Sequence, residues 1–112
     1  MARPAIVFAL YKPDAGKDAE LLSLVQRHYP TLRKYELVTD RVPIVSRSAN
    51  GTIIEVFEWV DGAAHKKAHE HPEIAAIWER MDVIGEMPKL GSLPECAETF
   101  PHFEPVNFQT AM

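Results

Sequence analysis

The stretch 50–78, NGTIIEVFEWVDGAAHKKAHEHPEIAAIW, decides the fold because a strand pattern and a helix pattern meet in it. Side chains alternate between two faces over residues 53–60, which is typical of a strand, and apolar residues then recur at near-helical spacing up to Trp78. Asn50-Gly51 lies between two strand patterns and predicts a two-residue hairpin turn. Pro72 interrupts the helical pattern and predicts two short helices at an angle.

The predicted hairpin assigns side chains to the faces of a sheet. With a two-residue turn, Ser46 lies opposite Glu55, and Glu55 shares a face with Ile53 and Phe57. A carboxylate on a covered face needs a partner or a raised pKa, so Glu55 is a candidate general base. The structural alternative is that Glu55 pairs with an arginine or with the hydroxyl of Ser46. Asp40 lies on the same predicted face and is a second candidate.

The remaining segments complete one α+β domain. Residues 5–11, AIVFALY, predict a strand with apolar side chains on both faces, which needs cover on both sides and points to a partner subunit. Residues 17–28 predict an amphipathic helix that Asp14 caps and that ends near Pro30. Residues 36–47 predict an edge strand.

The second half of the chain supplies a second helical region and a last strand. Asp61 is the predicted N-cap of the second helical region, and residues 92–100 predict a last strand. The order βαββαβ predicts a ferredoxin-like sandwich over residues 1–100, with an antiparallel sheet and the helices on one face. Residues 101–112 predict a tail that docks on its own subunit or on a partner.

Composition excludes several classes of function. The chain has 112 residues, a net charge of -4 and acidic residues mixed with basic ones, so no basic stripe predicts binding of nucleic acid. No apolar run reaches the ~20 residues of a membrane span, and the N-terminal run lacks a signal-peptide cleavage site. The single Cys96 has no basic neighbour and is interpreted as inert packing. We therefore expect a cytoplasmic protein.

Several features of the central stretch together resemble a known family. They are the strand over residues 54–59 with its internal Glu55, then Asp61-Gly62, then Ala68-His69, and an apolar helix after Pro72. This arrangement resembles the antibiotic-biosynthesis-monooxygenase-like group of the dimeric α/β-barrel superfamily. The resemblance implies a homodimer whose sheets pack face to face, with a small cleft between sheet and helices in each subunit.

The resemblance also implies a range of functions. Members include monooxygenases that act on aromatic compounds without a cofactor, enzymes that degrade haem, and stress-associated proteins. Haem degradation is disfavoured here, because the first strand has no asparagine and Glu79 takes the place of a helical histidine. The expectation is a homodimeric, cofactor-independent enzyme for a small organic substrate. The alternative is a non-catalytic ligand-binding or stress-associated protein of the same fold.

The histidines after Asp61 are the other candidate site residues. His65 and His69 are four residues apart and share a helix face, which is the spacing of a zinc pair, but no third ligand is spaced to help. A metal site there is an alternative, and a solvated face is the structural interpretation. The residues chosen as general bases are Glu55 and His69, and those chosen to line an aromatic substrate pocket are Tyr11, Trp59, His71 and Trp78, with His28 beside them.

Overall fold

The computed structural model describes residues 3–108 and contains one antiparallel sheet. The helices and strands, in chain order, are β1 (Ala5–Pro13), α1 (Asp18–Lys34), β2 (Ile44–Arg47), β3 (Ile53–Trp59), α2 (Ala64–Ala68), α3 (Pro72–Ile84), β4 (Gly85–Glu86) and β5 (Glu104–Pro105). The strand order is β4-β1-β3-β2-β5, with every pair antiparallel. The predicted ferredoxin-like α+β class is confirmed. The predicted break at Pro72 is also found, since Pro72 is the first residue of α3.

The hairpin is one residue out of the predicted register. Val45, and not Ser46, lies opposite Glu55. The turn contains three residues, 49–51, with Gly51 at φ +92°, a left-handed conformation that glycine adopts at little cost. One extra residue in the turn moves every side chain of β2 to the opposite face. The predicted contact between Ser46 and Glu55 is therefore wrong.

The first helix is longer than predicted. It continues through Pro30 to Lys34, and the residues after the proline include the buried Thr31 and Leu32. Pro30 has no N–H to donate to the Gln26 carbonyl, and the Thr31 hydroxyl donates to the neighbouring Arg27 carbonyl at 2.7 Å. Burial of this extra turn against the sheet offsets the lost helical hydrogen bond, which local propensity alone does not reveal.

Neither predicted aspartate occupies an N-cap position. The N-cap of α1 is Lys17, and Asp14 contributes only its backbone carbonyl, which accepts from the Lys17 N–H at 2.9 Å. The N-cap of α2 is Ala63, whose N–H donates to the Asp61 carboxylate at 2.9 Å. Asp61 thus forms a turn that ends at the N-cap residue Ala63, in place of a cap.

The last predicted strand is wrong. Residues 92–100 contain short 3₁₀ turns, and the strand beside β1 is the two-residue β4, which pairs with Lys12 and Pro13. Gly85 permits this pairing because a Cβ on it would lie 2.3 Å from the Lys12 carbonyl oxygen. The predicted edge strand over residues 36–47 is likewise shortened to its last four residues.

The helices cover one face of the sheet and leave the other partly open. Tyr11 and Ile53 pack under α1 and α3, while Phe57 and Trp59 pack under α2 and the start of α3. On the opposite face, Leu93, Cys96 and Phe103 pack over Leu10 and Ile54. The residues left exposed on that face are Ile6 (50 %), Phe8 (52 %) and Ile44 (66 %).

The segment after β4 is tied to the hairpin. The Glu95 carboxylate accepts hydrogen bonds from the Ser48 hydroxyl and the Ala49 N–H, both at 2.7 Å. β5, which belongs to the predicted tail, pairs with β2 of the same chain. Residues 109–112 of that tail lie outside the described residues. Within the described range, none of the helices has the length and apolar character needed to cross a membrane.

Candidate functional site

A cleft of about 720 Å³ lies between the sheet and the helices. One side is β1 with two aromatic residues of β3, and the other side is α3 with the histidines at the ends of α2. The residues that matter most for its chemistry are Tyr11, His28, Trp59, His65, His69 and Trp78. Both tryptophans of the protein belong to this lining.

Behind the cleft lies a buried chain of hydrogen bonds that ends on Glu55. The Tyr11 hydroxyl donates to Glu55 Oε1 at 2.8 Å, and His28 Nδ1 lies 2.8 Å from the same oxygen. On the other side of the imidazole, Trp78 Nε1 donates to His28 Nε2 at 2.8 Å. Glu55 is 1 % exposed and His28 is 2 % exposed.

The Trp78 indole fixes which nitrogen of His28 carries the proton. An indole N–H is a donor only, so His28 Nε2 must carry a lone pair, and the proton lies on Nδ1. His28 is therefore a neutral imidazole that donates to Glu55, and Glu55 Oε1 accepts hydrogen bonds from both His28 and Tyr11. Burial raises the pKa of Tyr11 well above its usual value, and the negative charge of Glu55 and the hydrogen bond to it raise that pKa further.

The local sequence explains how these groups meet. Glu55 lies opposite Ala9 of β1, and the small side chain of Ala9 leaves room for the carboxylate. His28 lies seven residues after the buried Leu21, on the apolar stripe of α1. The sequence analysis placed His28 in the pocket but missed its pairing with Glu55. A lone histidine on an apolar stripe was the available signal, because such a side chain requires a buried hydrogen-bond partner.

The outer part of the cleft is a continuous aromatic surface. The ring of Trp78 lies 4.7 Å from that of His69 and 5.8 Å from that of His65, and His65 lies 5.8 Å from Trp59. The two histidines are 4.9 Å apart, and both are exposed to solvent. A flat ligand can stack on such a surface.

Comparisons with known proteins identify the fold. No protein-family model matches this sequence, and no curated protein matches it. A conserved protein from Methanosarcina mazei Go1 is similar in structure, with a TM-score of 0.63 at 16% identity over 76% of this chain and 86% of that one. A NIPSNAP family protein from Agrobacterium tumefaciens C58 has a TM-score of 0.55 at 18% identity, over 82% and 91% of the two chains.

A third similar structure is SnoaB, a cofactor-independent oxygenase from Streptomyces nogalater. Its TM-score is 0.58 at 16% identity, and the match covers 80% of this chain and 97% of that one. The chain shares the ferredoxin-like α+β fold of these proteins. These matches confirm, at the level of the fold, the resemblance inferred from the central stretch. They extend no further, because identities this low establish no shared activity.

Within this fold, the predicted site residues fall into three groups. Tyr11, Trp59, Trp78 and His69 line the cleft. Glu55 lies behind the cleft surface and reaches it through Tyr11 and His28.

The third group lies outside the cleft. His71 stacks on Tyr35, with the ring centres 4.1 Å apart, so the structure does not bring it to the predicted substrate pocket. Asp40 is exposed in a bend before β2. In the part of the chain that the structure describes, no group of three or more His, Cys, Asp or Glu residues is placed to hold a metal ion.

Proposed function

We propose that this protein is an enzyme that binds a flat aromatic substrate in the cleft and that His69 is its general base. The observation that carries the proposal is the exposed imidazole of His69, 4.7 Å from the ring of Trp78 in a largely aromatic cleft. In this proposal the ligand stacks on Trp78 with its acidic C–H directed at His69, as proton abstraction requires.

Glu55 has a positioning role in this proposal. Both of its hydrogen bonds come from Tyr11 and His28, and His28 in turn accepts from Trp78. By accepting from His28 Nδ1, Glu55 holds the imidazole in place, and His28 in turn holds the indole on which the substrate stacks. The arrangement of carboxylate, imidazole and a third group resembles that of catalytic triads, but here the third group belongs to the binding surface.

The proposed reaction is oxygenation without a cofactor, the activity that is named for SnoaB. His69 removes a proton from an acidic CH₂ group of the substrate and leaves a carbanion. The carbanion forms a C–O bond with O₂, and the resulting peroxide takes the proton back from His69. Loss of water then gives a carbonyl, so that R₂CH₂ and O₂ yield R₂C=O and H₂O. The cleft contributes stacking and partial exclusion of water.

Oxygen uptake with anthrone tests this proposal. We expect one O₂ consumed per anthraquinone formed, above the spontaneous rate, and a kcat lowered by about 100-fold or more in His69→Gln. His102→Gln changes an exposed histidine outside the cleft and is the matched control. An equal loss in both variants, or equal rates with and without protein, contradicts the role of His69.

A non-catalytic ligand-binding function is the second candidate. It is favoured by the mutual hydrogen bonding of Tyr11, His28 and Glu55, which gives each of these buried side chains a partner without a substrate. Both functions predict that flat aromatic compounds quench the fluorescence of the two cleft tryptophans. Quenching without any turnover of anthrone favours the binding protein.

We also propose a homodimer, formed through the open face of the sheet. Ile6, Phe8 and Ile44 are half or more exposed there and form an apolar patch at the centre of the strands. Light scattering at micromolar concentration is expected to give twice the chain mass for the wild type and a lower mass for Ile44→Glu. A monomeric wild type contradicts the dimer.

A further inference from the structure

One edge of β1 is open where it borders the cleft. The Glu58 carbonyl accepts from the Thr39 N–H at 3.0 Å, so the even-numbered residues of β3 direct their backbone groups toward the β2 side. Backbone direction alternates along an antiparallel strand, so the odd-numbered residues of β3 face β1. These pair with the odd-numbered residues of β1. Ile6, Phe8 and Leu10 therefore direct their N–H and C=O groups to the opposite edge.

β4 occupies only the far end of that edge. The Asp14 N–H donates to the Ile84 carbonyl at 2.8 Å, which confirms that even-numbered residues face this side, and Lys12 pairs with β4. The same register would place Pro88 opposite Leu10. Because proline has no N–H, it cannot donate to the Leu10 carbonyl, and the ladder stops.

The unpaired backbone belongs to the cleft. Phe8 and Leu10 line it, although the side chain of Phe8 lies on the other face of the sheet, so it is the strand edge that borders the cavity. No β-strand pairs with Phe8 at this edge among residues 3–108. The N–H and C=O of Phe8 point the same way, as in a hydrogen-bonded antiparallel pair, and so present one donor and one acceptor side by side.

We infer that the cleft selects flat ligands that carry an adjacent donor and acceptor in the ring plane, a lactam being the simplest, and that Phe8 binds this pair through its backbone. The inference rests on the proposed function in one respect, namely that the cleft binds a flat aromatic molecule. The lactam N–H donates to the Phe8 carbonyl, and the lactam carbonyl accepts from the Phe8 N–H. A ring held in this way keeps its faces free to stack on the aromatic surface of the cleft.

Two probes that differ by one methyl group test the inference. 2-Quinolinone has the donor and acceptor pair, whereas N-methyl-2-quinolinone lacks the donor. In titrations followed by NMR, we expect the wild type to bind 2-quinolinone roughly 5- to 10-fold more tightly than N-methyl-2-quinolinone. The amide signal of Phe8 should shift on binding by more than that of Val7, which also lines the cleft but pairs with Phe57 of β3.

Substitution at position 8 isolates the backbone group. Phe8→Pro removes the outward N–H and no hydrogen bond of the β1–β3 ladder, and Phe8→Ala is the reference because it loses the same ring and keeps the N–H. The preference for the unmethylated lactam should disappear in Phe8→Pro relative to Phe8→Ala.

The outcomes separate this inference from the proposed function. Binding of both probes with equal affinity to the wild type, or an undiminished preference in Phe8→Pro, overturns the inference and leaves the aromatic cleft intact. If neither probe binds the wild type, the proposed function fails together with the inference. Should Phe8→Pro not fold, the shifts of the Phe8 and Val7 amides in the wild type decide, and equal shifts overturn the inference.

Discussion

Tyr11→Phe is the most direct perturbation of the buried hydrogen-bond chain. The substitution deletes a single oxygen atom and keeps the ring, which packs with Ile53 in the main core. What it removes is the hydrogen bond from the Tyr11 hydroxyl to Glu55 Oε1, at 2.8 Å. Glu55 then keeps only the donor from His28.

The expected loss of stability follows from the burial of the carboxylate. A hydrogen bond to a charged group contributes about 1.5–3 kcal/mol, and Glu55, at 1 % exposure, has little water to replace the lost donor. For a domain of this size, that loss corresponds to a decrease in Tm of roughly 6–12 °C. The free energy of unfolding in urea at neutral pH measures it directly.

Tyr35→Phe is a matched control within the same protein. The Tyr35 hydroxyl donates to Glu73 Oε1 at 2.7 Å, so the broken hydrogen bond has the same chemistry, but that pair lies at the surface. Water replaces the lost donor there, and we expect no measurable change in stability. If Tyr11→Phe proves no more destabilising than Tyr35→Phe, then Glu55 is not a buried carboxylate that depends on its two donors.

Three further outcomes are expected. The pKa of Tyr11 is raised in the folded state, so its contribution to the free energy of unfolding is fully present below pH 10.0 and declines at higher pH, where Tyr11 ionises in the unfolded chain. In urea unfolding above pH 10.0, the stability of the wild type should therefore fall more steeply than that of Tyr11→Phe, by up to ~1.4 kcal/mol per pH unit. Gly85→Ala forces a Cβ against the Lys12 carbonyl and should cost about 1–3 kcal/mol in the same assay, and an unchanged stability would show that β4 moves freely. The hydrogen bond from Ser48, and then that from the Ala49 N–H, lower the pKa of Glu95, which shows that both donors favour its carboxylate. Glu95→Gln weakens these two hydrogen bonds and should speed amide hydrogen exchange over residues 92–97. Unchanged exchange would mean that the two hydrogen bonds do not hold this segment against the hairpin.

The main elements were predictable because their signals are local. The alternating pattern of β3 and the amphipathic spacing of α1 each lie within one segment, and the proline at the start of α3 acts on its own neighbours. These signals also carried the resemblance that the comparisons confirm as a shared fold. Candidate pocket residues on these elements, such as Tyr11 and Trp78, could be named for the same reason.

The errors arose where distant segments decide the outcome. The length of one turn changed the register of β2, so that Val45 and not Ser46 lies opposite Glu55. Contacts with the sheet carried α1 past Pro30, against local propensity. The strand beside β1 was not the apolar segment 92–100 but the short segment after α3, where a glycine permits close approach and Pro88 ends the pairing.

By itself, the sequence determined the α+β class, the order of the main elements and the residue types available for chemistry, because periodicity and composition act over a few neighbouring residues. Only the tertiary structure decided which of these residues act together. Glu55 and His28 are 27 positions apart, and His28 and Trp78 are 50 apart. Their hydrogen bonds form because α1 and α3 pack on the same face of the sheet, and packing between distant elements leaves no periodic signal in the chain.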